Sequence, residues 1–174
     1  YYALLHNFLR AYPWLCGVDL DVEEELDADP SQALICIQKL IRQLHTDFTD
    51  FTSPTKPFAI TMAPVAYSLT GDSVGMGGFV YKDLLQSECG PMISQYNVQA
   101  YGNYDYSTYQ SIIENGFDPQ TIVFGMLGDE FAQATPFASA MTELQRITQA
   151  YPKHGGVILW EYGDTQIDGV VWGQ

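Results

Sequence analysis

Short runs rich in β-branched and aromatic residues alternate along this chain with longer stretches of helical periodicity, and that alternation restricts its fold most. A strand followed by a helix and then another strand calls for a parallel crossover, so the pattern implies a parallel sheet covered by helices. Residues 2–12 read as a helix with Leu4, Leu5, Phe8 and Leu9 on one side, ended by Pro13. Residues 15–22 read as a strand. Asp29 then stands as an N-cap before Pro30 at the first helical position. The helix it opens runs to about Phe48, with Leu34, Ile37, Leu40, Ile41 and Leu44 as its buried stripe. Further strands are expected at 58–63, 92–99, 121–126 and 156–161, with helices at 81–86, 107–115 and 135–151. A polar connector falls at 52–56 and a Gly/Ser-rich loop at 68–78. The fold class is α/β, and the helix–strand spacing fits part of an eight-stranded βα barrel.

The 174 residues carry no low-complexity tract and no sign of a second domain. Seven Lys and Arg stand against 21 Asp and Glu, a net charge of −14. A field of that sign repels phosphate backbones and anionic lipid, so neither nucleic acid nor a membrane surface is expected as a partner. No apolar run reaches the 18 or so residues of a membrane span. Cys16, Cys36 and Cys89 form no CxxC pair and no Cys/His cluster, which speaks against a structural metal site, and their odd number speaks against a disulfide framework. His6, His45 and His154 are scattered, and Gly75-Met76-Gly77-Gly78 does not sit at a strand-to-helix phosphate turn. The chain opens on Tyr1-Tyr2-Ala3-Leu4-Leu5, without an initiator Met or a signal-peptide pattern, and reads as a segment of a longer protein with possible further domains.

The most informative stretch is Gly17-Val18-Asp19-Leu20-Asp21-Val22-Glu23. Side chains alternate faces on a strand, so Asp19, Asp21 and Glu23 share one face while Val18, Leu20 and Val22 share the other. In a βα barrel the apolar set packs under the helices, and the acids point inward and rise toward the C-terminal mouth, where such folds keep their chemistry. Repulsion and desolvation within such a ladder raise at least one pKa, and a carboxylic acid that holds its proton near neutrality suits glycosidic cleavage. Two other uses of the same residues are a divalent-cation site and one solvated face of an antiparallel sheet. The long amphipathic helix that follows favours a βα unit over the latter. Glu24 and Glu25 fall in the solvated loop beyond.

These residues resemble the fourth barrel strand of glycoside hydrolase family 18, the chitinases and endo-β-N-acetylglucosaminidases, whose pattern is Asp-Gly-x-Asp-x-Asp-x-Glu. Cys16 stands where the first Asp of that pattern would be. Three later stretches are similar to the same family in the same order: Ile60-Thr61-Met62-Ala63-Pro64 to its fifth strand, Ser94-Gln95-Tyr96-Asn97 to its sixth, and Leu159-Trp160 to its eighth. The resemblance covers nearly all of residues 1–174 and implies a TIM (β/α)8 barrel represented from strand 4 to strand 8. It also implies a retaining glycosidase, without cofactor or metal, acting on β-1,4 linkages next to N-acetylglucosamine in an oligo- or polysaccharide through an oxazolinium intermediate. Glu23 would be the proton donor, Asp21 the residue that orients the 2-acetamido group, and Asp19 the acid beneath it. Tyr96 would donate to the acetamido oxygen, and Met62, Asn97 and Trp160 would line the sugar site, with residues 101–106 as a subsite wall. A catalytically silent carbohydrate-binding or inhibitor protein on the same fold is the alternative. An extracellular location is expected from the substrate class. A segment of five strands is expected not to be stable or active alone.

Overall fold

The computed structural model describes residues 1–48, 58–128, 134–161, 166–167 and 170–171. Five parallel strands form one sheet in chain order: β1 (Gly17–Leu20), β2 (Ala59–Met62), β3 (Gln95–Gln99), β4 (Ile122–Leu127) and β5 (Gly156–Trp160). The helices are α1 (Tyr2–Ala11), α2 (Pro30–Phe48), α3 (Tyr81–Gln86), α4 (Tyr106–Glu114) and α5 (Ala134–Ala150). When each strand is laid beside its predecessor through a crossover of constant hand, the helices all fall on one face. The result is an arc of a barrel; a doubly wound sheet would reverse its strand order.

Local chemistry accounts for the boundaries. The Ser31 N–H donates to Asp29 Oδ1 at 2.9 Å, so Asp29 caps α2 as its sequence implies. Asp105 does the same for α4, accepting from the Thr108 N–H at 2.8 Å, and the helix begins at Tyr106, one residue before the expected start. Strand β3 begins at Gln95 and not at residue 92, because Gly90–Met92 forms a 3₁₀ turn in which Pro91 has no N–H to give to a ladder. In α1 only Leu9 is buried; Leu4 and Phe8, from the same apolar side of the helix, are exposed. A short antiparallel pair, β6 (Gln166–Ile167) with β7 (Val170–Val171), follows the sheet and was not expected. The connector expected at 52–56 lies outside the described residues.

Register separates the two faces of the sheet. Asp19 pairs with Thr61, Thr61 with Gln95, Asn97 with Val123, and Gly125 with Ile158. These positions share the inner face. One residue out of phase, Leu20 pairs with Met62, Met62 with Tyr96, and Tyr96 with Ile122. This outer set joins Val98, Phe124 and Met126 in a core closed by Ile37, Ile41 and Leu44 of α2, Leu84 of α3, Tyr109 and Ile112 of α4, and Ile147 of α5. Each large apolar side chain buried there contributes about 1.5–3 kcal/mol. Stability therefore resides mainly on the outer face, leaving the inner-face positions of β1 and β3 to the polar residues Asp19, Gln95, Asn97 and Gln99.

Candidate active site

The inner-face residues rise to a recess of about 250 Å³ at the C-terminal ends of the strands. Asp19, Asp21, Glu23, Ala63, Asn97, Gln99, Tyr101, Ile158 and Trp160 line it. The three acids come from β1 and its extended continuation, so strict alternation delivers them to one place. Gly125, the register partner of Gln99, contributes no side chain, and a Cβ there would lie 2.5 Å from the Val98 carbonyl oxygen.

The three carboxylates differ in their hydrogen bonds. Asp19 Oδ1 accepts from the Thr61 hydroxyl at 2.6 Å and from Asn97 Nδ2 at 3.1 Å. Asn97 is held in turn by Gln95, whose Nε2 donates to its Oδ1 at 2.5 Å. Asp21 and Glu23 are both approached by one donor, Gln99 Nε2, at 3.1 and 3.3 Å. Burial pushes the Asp21 carboxyl above its ordinary range, and the neighbouring charges of Glu23 and Asp19 add to the rise, while the hydrogen bond from Gln99 opposes it. The ladder thus holds one carboxyl that resists ionisation between two other acids.

Two residues expected at the site are elsewhere. Tyr96 is 1% exposed and Met62 0%, both on the outer face, and Tyr96 stacks edge-on against Phe117 at 5.2 Å. The reason is parity: each follows an inner-face residue by one position, so its side chain turns toward the helices. The Tyr96 hydroxyl is buried without a hydrogen-bond partner among the described residues. Asn97 and Trp160 do line the recess. Cys16 is exposed, its thiol directed to the Trp14 carbonyl oxygen at 3.8 Å, and it does not line the recess, so it is no rung of the carboxylate ladder. The sequence reading missed Gln99 and gave Tyr101 only a general place in a loop. The signal was the run Gln95-Tyr96-Asn97-Val98-Gln99, polar at every second position. The same phase carried two residues further reaches Tyr101, the phenol that lines the recess.

Among the described residues, no group of three or more His, Cys, Asp or Glu side chains is arranged to hold a metal ion.

No family model and no curated protein matches the chain. Solved structures do. A fungal endo-β-N-acetylglucosaminidase from glycosyl hydrolase family 18 is 34% identical, with a TM-score of 0.76 over 93% of this chain and 54% of its own. The chitinase ChiC from Aspergillus fumigatus is 35% identical, with a TM-score of 0.77 over 93% of this chain and 55% of its own. The chain therefore spans about half the length of these two structures.

Proposed function

The chain belongs to glycoside hydrolase family 18, as part of that family's βα barrel, and from that premise we propose that its recess hydrolyses β-1,4 linkages next to N-acetylglucosamine with retention of configuration. The observation that carries this reading is the shared inner face of Asp19, Asp21 and Glu23, with the Asp21 carboxyl held above its ordinary range.

In the proposed reaction the 2-acetamido oxygen of the sugar forms a bond to its own anomeric carbon. The bond from that carbon to the glycosidic oxygen breaks, and the proton of Glu23 passes to the departing oxygen. Asp21 accepts a hydrogen bond from the acetamido N–H and offsets the positive charge of the oxazolinium ring. Water then adds to the anomeric carbon, returns a proton to Glu23 and reopens the ring, so the net change is hydrolysis. This route replaces the second carboxylate of the usual retaining pair with the substrate's own amide. Asp19, fixed by Thr61 and Asn97, serves as the stationary anion beneath the pair. The neutral phenol required at the acetamido oxygen falls to Tyr101, since Tyr96 faces the helices. Trp160 offers an apolar face for the pyranose ring. An extracellular location is part of the proposal and rests on the polymeric substrate class alone.

The test is hydrolysis of a chromogenic chitooligosaccharide by the intact protein that carries this segment. Glu23→Gln is expected to lower kcat by about 10²–10⁴-fold, the usual worth of a general acid, while binding persists. Equal rates for the two would remove Glu23 from the mechanism. Binding without turnover in the wild type would favour a silent lectin-like protein. A chelator is expected to leave the rate unchanged.

A further inference from the structure

We propose that Gln99 is a positioning residue whose one shared amide N–H follows the negative charge between Asp21 and Glu23 during turnover, an inference that rests on the glycosidase reading above. A glutamine amide has two N–H donors. Gln99 Nε2 faces three acceptors: the Ala63 carbonyl oxygen at 2.8 Å, Asp21 Oδ1 at 3.1 Å and Glu23 Oε1 at 3.3 Å. The shortest contact takes one N–H, and the backbone N–H of Gln99 holds the neighbouring Pro64 carbonyl oxygen at 2.8 Å. Side chain and backbone are thereby tied to the end of β2, and a single N–H remains for two carboxylates.

Such a donor bonds best to whichever oxygen is ionised, because a charge-assisted hydrogen bond is about twice as strong as a neutral one. With the sugar bound, the acetamido N–H offsets the burial and neighbouring charge that oppose ionisation of Asp21, so in the proposed reaction Asp21 is the anion until Glu23 gives up its proton, and the Gln99 N–H serves Asp21. Once Glu23 has given up its proton, Asp21 has the acetamido N–H as a donor, and the Gln99 N–H is released to Glu23. Asp19 does not compete, since Thr61 and Asn97 already donate to it. Among the described residues, the titratable groups lining the recess beside Gln99 are Asp19, Asp21, Glu23 and Tyr101; Ile158 and Trp160 of β5 bring no charge.

Two variants of near-equal volume separate this role from a tie between strands. Gln99→Met keeps the length and removes both N–H groups; Gln99→Glu keeps the shape and adds a negative charge. In the intact protein, carboxyl ¹³C NMR titration is expected to show the Asp21 midpoint moving up in Gln99→Met, because the hydrogen bond that lowers it is gone. On a chitooligosaccharide, kcat of Gln99→Met is expected to fall roughly tenfold to a hundredfold, the worth of a hydrogen bond to a charged group. KM should change little, the pH profile of kcat should move upward, and Gln99→Glu should be slower still. An unmoved Asp21 midpoint and an unmoved pH profile, in folded variants that have only lost thermal stability, would overturn the proposal. A wild-type protein that cleaves no N-acetylglucosamine substrate would overturn the glycosidase reading instead, and the NMR midpoints would still decide whether this amide couples the two carboxylates.

Discussion

Asp21 sits between two other acids, and its place there has a thermodynamic consequence as well as a chemical one. Burial, and then Glu23 and Asp19, hold its carboxyl above the ordinary range. The folded state therefore binds that proton more tightly than the unfolded chain does. By linkage, the wild-type protein loses stability as pH rises from the ordinary carboxylate range through the folded-state value. An amide in the same position cannot ionise. Asp21→Asn is thus expected to raise Tm at pH ~7 and to lose that advantage progressively as pH falls toward ~3.9, the ordinary carboxylate value, below which both states are protonated. Thermal melts of the two proteins across this range check it; a Tm difference independent of pH would show that the carboxyl is not strained by its neighbours. The same substitution is expected to depress kcat, the trade between stability and activity that a crowded acid site implies.

At the scale of elements, strand phase decides what reaches the recess. The acids of β1 were legible because their own strand alternates cleanly, acid against aliphatic, from Val18 to Glu23. The long helix α2 was legible because Asp29 and Pro30 mark its start and Ile37, Ile41 and Leu44 its buried stripe. Tyr96 and Met62 have side chains suited to a sugar site but stand one position out of phase with the inner face. In β3 the residues that reach the recess are the amides Asn97 and Gln99, and Tyr96 and Val98, out of phase with them, belong to the core. The relative phase of two neighbouring strands is fixed by pairing, which no single strand records. One residue does record it physically. Gly17 pairs with Ala59 at the start of β1, and a Cβ there would lie 2.3 Å from the Ala59 carbonyl oxygen. Gly17→Ala must push β1 away from β2 and is expected to cost about 1–3 kcal/mol, as overpacking does. It should lower the urea midpoint with the m-value unchanged. A midpoint equal to wild type would mean that the strands separate there at no cost.

At the scale of the whole chain, two forces oppose each other. Among the described residues, strands β1 and β5 are the outer members of the five-stranded sheet, so each has one side of its backbone without a neighbouring strand. Ahead of β1 runs a chain of ring contacts, Phe8 to Tyr12 at 4.8 Å and Tyr12 to Trp14 at 5.2 Å. Trp14 there is 72% exposed, and Trp160 at the end of β5 is 58% exposed. Edges and apolar surface of this kind favour association. Against them stands the net charge of −14, which keeps copies of the chain apart at low ionic strength. Salt weakens only the second force: at ~1 M the Debye length is about 3 Å, and the charge no longer acts between molecules. The 174-residue chain expressed alone is therefore expected to self-associate, with a sedimentation-derived mass that rises with salt. The edge groups point sideways in the plane of the sheet and the acids point out of it into the recess, so association should leave the recess uncovered. A monomer at every salt concentration would mean that the exposed edges and rings do not outweigh even a screened charge.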